Sequence, residues 1–73
     1  MTNYYEELNL DENASSSELL KELAMLETVW HQREYARPDL AAAKLVLITE
    51  ARKVFATTEE KAAYDRALFA APA

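Results

Sequence analysis

Seventy-three residues allow one small hydrophobic core and no more. With 51% hydrophobic residues, no glycine and no cysteine, the chain reads as an ordered domain without disulfides, thiol chemistry or Cys-ligated zinc. The net charge of -5 argues against a nucleic-acid partner. No apolar run nears the ~20 residues of a membrane span, and Met1 is followed by polar and acidic residues where a signal peptide would turn basic and then apolar.

The first helix is short, Asn3 to Leu8, with Tyr5 and Leu8 on one side. Asn9 follows it, and after glycine asparagine is the residue that best accepts the left-handed conformation ending a helix. Asp11-Glu12-Asn13 is a turn. Ser15, Ser16 or Ser17 caps the second helix, and Glu18 completes a capping-box pattern with Ser15. No base stands near these serines to make one of them a nucleophile. The second helix runs from Ser17 to Trp30 or His31, and Leu19, Leu23, Leu26 and Trp30 recur on one face. This spacing predicts a well-buried Trp30. A polar linker, Gln32 to Arg37, leads to Pro38, whose fixed φ and missing N–H suit a first turn. The third helix extends to Phe55, with Ala41, Leu45, Ile48, Ala51 and Phe55 as its inner stripe. Thr57 with Glu60 forms a second capping-box pattern, opening a fourth helix that ends near Phe69. Residues 1–70 make one helical domain, and residues 71–73 read as a tail leading to a further C-terminal part.

Two long helices joined by a loop bury their stripes against each other as an antiparallel pair, and the short first and fourth helices cover its open edges. The fold class is all-α. Tyr4-Tyr5-Glu6-Glu7-Leu8, Asn13-Ala14-Ser15, His31-Gln32-Arg33, Ile48 with Ala51, and Glu60-Lys61-Ala62-Ala63-Tyr64-Asp65 follow one another in a fixed order. That order resembles the J-domain, the DnaJ-like module that activates DnaK-type ATP-driven chaperones. The family pattern runs D-Y-Y-x-x-L-G-[VL], A-S, H-P-D, I-x-x-A-Y-x-V-L and K-R-A-A-Y-D. From Tyr4 to Asp65 its landmarks fall in register without a gap. The resemblance implies the same four-helix arrangement, with a long antiparallel hairpin of the second and third helices.

Chemistry is scarce along the chain. One histidine and no cysteine make no typical metal site, and Glu18, Glu22 and the other carboxylates are spread along helices. Without glycine there is no loop to cradle a phosphate. Asn13-Ala14-Ser15 matches a glycosylation sequon but reads more simply as a turn and a cap. The expectation is a protein that is not an enzyme, needs no cofactor and works in the cytoplasm through its surfaces.

In the J-domain family, H-P-D at the junction of the second and third helices engages the chaperone and couples docking to ATP hydrolysis. Here His31 matches the His, Gln32 replaces Pro and Arg33 replaces Asp. Loss of Pro should let the second helix extend by a residue or two, and Asp to Arg reverses a charge that a basic partner group would meet. Arg37-Pro38-Asp39 looks like a shifted copy, but the register from Ala14 to His31 and on to Ile48 leaves no room for it. His31 reads either as a polar helix end or as a partner contact.

Where the family tends to carry Lys or Arg on the second helix, this chain has Leu20, Lys21, Ala24, Met25 and Val29, so only Lys21 keeps the steering charge. On the third helix Leu40, Leu47 and Val54 are seven apart, beside Ala43 and Val46, and point away from the inner stripe. Val54 is expected to touch the fourth helix. Leu40, Leu47, Met25 and Val29 read either as ordinary scattered exposure or as an apolar contact surface. The partner expected is a protein: a DnaK-type chaperone, a twin chain or the chain's own C-terminal domain. The resemblance thus implies an interaction module that has lost chaperone activation. The other readings are an active co-chaperone that tolerates the altered tripeptide, and a structural domain for dimerisation or packing.

Overall fold

The computed structural model describes residues 1–70, which form four α-helices and, among these residues, no strand. They are α1 (Tyr4–Glu7), α2 (Ser16–Gln32), α3 (Pro38–Val54) and α4 (Thr58–Leu68). The tail expected over residues 71–73 lies outside the described residues.

Side chains next to each start explain the boundaries. The Asn3 carboxamide oxygen accepts the N–H groups of Tyr5 and Glu6, at 3.1 and 3.3 Å. Asn9, at φ 53°, takes the left-handed conformation that turns the chain out of α1. The Leu10 N–H then closes back on the Tyr5 carbonyl at 2.8 Å. Of the three candidate serines, Ser15 is the cap of α2: its Oγ accepts from the Glu18 N–H at 3.2 Å, and the Glu18 carboxylate accepts the Ser15 N–H at 3.3 Å. Such a cap stabilises by ~1 kcal/mol. The sequon asparagine is part of a turn, donating its N–H to the Asp11 carboxylate at 2.9 Å. At α4, Thr57 accepts from the Glu60 N–H at 3.1 Å, but only half of the expected box forms. Glu60 is exposed and, among the described residues, makes no bond back to Thr57.

The largest contact in the molecule is between α2 and α3. Leu19 and Leu23 from one side and Ala41, Ile48, Ala51 and Phe55 from the other are fully or almost fully buried. Leu26 and Leu45 on the same stripes are half-buried and pack against this core. Leu47, expected to point away from the inner stripe, and Val54, expected to touch the fourth helix, also pack against it. Both short helices, α1 and α4, also contact α3.

An aromatic cluster joins the two ends of the chain over Phe55. Its ring centroid lies 5.2 Å from Tyr5, 5.5 Å from Tyr64 and 6.4 Å from Tyr4, and Tyr4 and Tyr64 are 5.6 Å apart. These offset and edge contacts suit the ring quadrupoles. Every hydroxyl is satisfied. Tyr64 accepts the Tyr4 N–H at 3.0 Å and donates to the Thr2 carbonyl at 2.5 Å. Tyr4 donates to Glu50 at 2.8 Å, and Tyr5 donates to Asp65. Asp65 in turn holds Lys61 at 2.7 Å, whose ammonium also reaches the Glu12 carbonyl at 3.1 Å. Leu8 and Leu10 fill the space beneath.

The opposite end is bare. The molecule measures 42 × 27 × 17 Å, and every residue from His31 to Leu40 is exposed. Trp30 is therefore only half-buried, packed against the core on one side and open on the other. Its spacing places it on the inner stripe, but no short helix reaches far enough to cover it.

Two outcomes follow from this asymmetry. Phe55→Ala should cost ~3–5 kcal/mol, as for a fully enclosed aromatic, whereas Trp30→Ala should cost only about 1–2 kcal/mol. Urea unfolding followed by circular dichroism compares them, and equal losses would contradict the burial pattern.

The tyrosines add a pH dependence. Burial first, then the hydrogen bond and charge of Glu50, pushes Tyr4 up from 10.0 to about 12. Burial and then Asp65 raise Tyr5 further, and burial raises Tyr64 against the opposing effect of the Tyr4 N–H. Each group holds its proton more tightly folded than unfolded. Their contribution to stability is thus complete below pH 10.0 and is lost as pH rises through about 12. A flat unfolding free energy across that window would show that the clasp does not bury these hydroxyls.

Candidate functional site

The junction of α2 and α3 carries the residues that the sequence singles out, and its backbone follows from Gln32, a residue that can continue a helix. With Gln32 able to donate its N–H, α2 continues to Gln32, and Arg33 becomes its C-cap. The Arg33 N–H donates to the Trp30 carbonyl at 3.1 Å, and the Arg37 N–H to the Arg33 carbonyl at 2.9 Å. Pro38 then opens α3 at its first position, and the Arg37 side chain provides no cap.

His31, Gln32 and Arg33 are all exposed. The His31 imidazole Nδ1 lies 2.5 Å from the Glu34 carboxylate, one turn ahead. The Arg33 guanidinium sits over the Trp30 indole, 4.9 Å from the ring centroid, a contact worth roughly 0.5–1 kcal/mol at an exposed site. Both ends of the tripeptide are therefore engaged within the chain. Beside them an open cleft of about 480 Å³ is lined by Trp30, Arg33, Ala36, Arg37 and Leu40. A second cleft of about 430 Å³ lies along Tyr35, Pro38 and Leu45. Tyr35 is fully exposed.

The apolar surface expected on the two long helices does not form one patch. Leu20 and Leu47 are half-buried against the core. Val29 is half-buried and lines one cleft with Leu8 and Lys44, whose ammonium donates to the Glu7 carbonyl at 2.7 Å. Lys21, Ala24 and Met25 are exposed on α2, and Leu40 is exposed at the start of α3. Of the residues expected to bind, Leu40 alone joins the junction cleft. Arg37 and Ala36 were not apparent from the sequence as members of a site, since a polar linker has no periodicity to place them. The helical spacing of Arg33 and Arg37 is the one signal that could have done so.

Among the described residues, no three His, Cys, Asp or Glu side chains gather as a metal site, and no helix is long and apolar enough to cross a membrane. Compared with family models, curated proteins and solved structures, the chain has no match.

Proposed function

We propose that this chain is a J-domain-like protein-interaction module that does not stimulate a DnaK-type chaperone. The observation that carries the reading is Arg33: an exposed cation stacked on Trp30 stands where the family's motif has an anion. A partner surface made for that anion would meet like charge, which costs affinity and slows encounter. His31 is tied to Glu34, and Lys21 is the one cation among the five positions of α2 where the family tends to be basic.

The scaffold half of the resemblance has its own support. Tyr4-Tyr5 and Tyr64-Asp65, which carry it at the two ends of the sequence, pack together over Phe55. The short link of residues 33–37, Trp30 beside Leu40 in one cleft, and Glu27 bonded to Arg52 at 3.0 Å further along all favour an antiparallel α2–α3 hairpin. On this reading the protein performs no chemistry of its own and acts in the cytoplasm through contacts.

A single-turnover ATPase assay with a DnaK-type chaperone tests the proposal. The chain should leave the rate unchanged, and Gln32→Pro with Arg33→Asp should restore at most part of the stimulation, because the basic face of α2 is still missing. The proline should also shorten α2 to about Trp30 by disfavouring helix at His31. Stimulation by the unaltered chain equal to that of an intact J-domain would refute the proposal.

A further inference from the structure

The junction cleft is exceptional in its charge. The chain has 13 acidic and 8 basic residues, yet among the described residues no carboxylate lines the cleft of Trp30, Arg33, Ala36, Arg37 and Leu40. Three acids lie near it in sequence or space: Glu7 lines a neighbouring cleft that also includes Trp30 and Arg33, and the other two are Glu34 and Asp39. Glu34 holds His31, and Asp39 lies in the first turn of α3, where the helix dipole favours it. Arg33 and Arg37, one turn apart through their backbone bond, make no ion pair among the described residues. Their planar forks match carboxylates, and Leu40 and the half-exposed Trp30 indole, with Arg33 over its ring, add apolar surface to the same cleft.

We propose that this cleft binds an acidic peptide segment of another protein, with a bulky apolar residue seated against Trp30 and Leu40 and flanking carboxylates paired to Arg33 and Arg37. A volume of about 480 Å³ is of the size that takes one large side chain and its neighbours. Tryptophan and arginine are also the residues that most often dominate protein interfaces. Nucleic acid is the poorer fit. Two arginines neutralise few phosphates, and the net charge of -5 repels a long polyanion. The inference rests on the junction being a contact surface, as the interaction-module reading holds. It does not depend on whether a chaperone's ATPase responds, so the two fail separately.

Trp30 is the single tryptophan of the chain, so its fluorescence reports from inside the cleft. The probes are blocked pentapeptides, acetyl-Asp-Glu-X-Asp-Glu-amide with X as Phe, Leu or Ile, and their Asn/Gln counterparts. A single-stranded oligodeoxythymidylate is the polyanion control. The acidic peptides should shift the emission saturably, and the amide counterparts should bind roughly tenfold more weakly. Arg33→Gln with Arg37→Gln should give a similar loss, and so should Arg37→Gln with Leu40→Ala, which leaves the Arg33–Trp30 stack in place. All these positions except Trp30 are exposed, and an unchanged melting curve confirms that each variant is folded. No saturable shift with any acidic peptide, equal binding of acidic and amide peptides, or tighter binding of the oligonucleotide would overturn the proposal.

Discussion

Tyr64 closes the molecule. Its hydroxyl accepts the backbone N–H of Tyr4 and donates to the carbonyl of Thr2, from sixty and sixty-two positions away. Its ring packs edge-on against Phe55. Helices of four and eleven residues cannot persist alone in water. They exist here because the clasp fixes both to α3. Closing so long a loop costs entropy only slowly with length, and burial of three tyrosines and a phenylalanine offsets it. The clasp also keeps Tyr5 over the core and its hydroxyl on Asp65, with Lys61 completing the charge balance. Among the described residues, no buried polar side-chain atom is left without a partner. The clasped end therefore has a single well-defined arrangement.

Concentrating the covering elements at one end leaves the other uncovered. Phe55 is sealed and Trp30 is half-open, although both sit on the inner stripes of their helices. Substitutions in the junction touch solvent and one another, not the core. That separation leaves the exposed residues Gln32 and Arg33 free to vary without disturbing the tyrosine clasp. The charge of Arg33 bears on what this surface can meet, not on the packing of the core.

Much of the architecture was legible in the sequence, wherever a local pattern had a local cause. Ser15 with Glu18, Asn9 after α1 and Pro38 at the start of α3 all act within a turn of themselves, and each is found in place. The stripes of the long helices were equally plain, because burial there follows the helical repeat. What the pattern could not give was the extent of cover. Leu47 lies off the inner stripe and was read as outward, yet it packs against the core. Trp30 lies on the stripe and was read as buried, yet it is only half-buried, with the exposed Arg33 side chain over its ring. Tyr4, Leu10 and Tyr64 escaped notice as core because they sit on segments too short to show a period. At the site, His31, Gln32 and Arg33 stood out by comparison with a family motif, whereas Arg37 and Ala36 join them only through the course of the linker.

Amide hydrogen exchange, residue by residue, tests most directly whether the two ends of the molecule differ in this way. The account predicts that the Tyr4 and Leu10 amides, bonded to the Tyr64 hydroxyl and the Tyr5 carbonyl, exchange as slowly as those of Leu23 and Ile48. Residues 33–37 should exchange fastest within the helical region. Tyr4 and Leu10 exchanging as quickly as the junction would show that the clasp is not closed in solution, and the account would fail at its foundation.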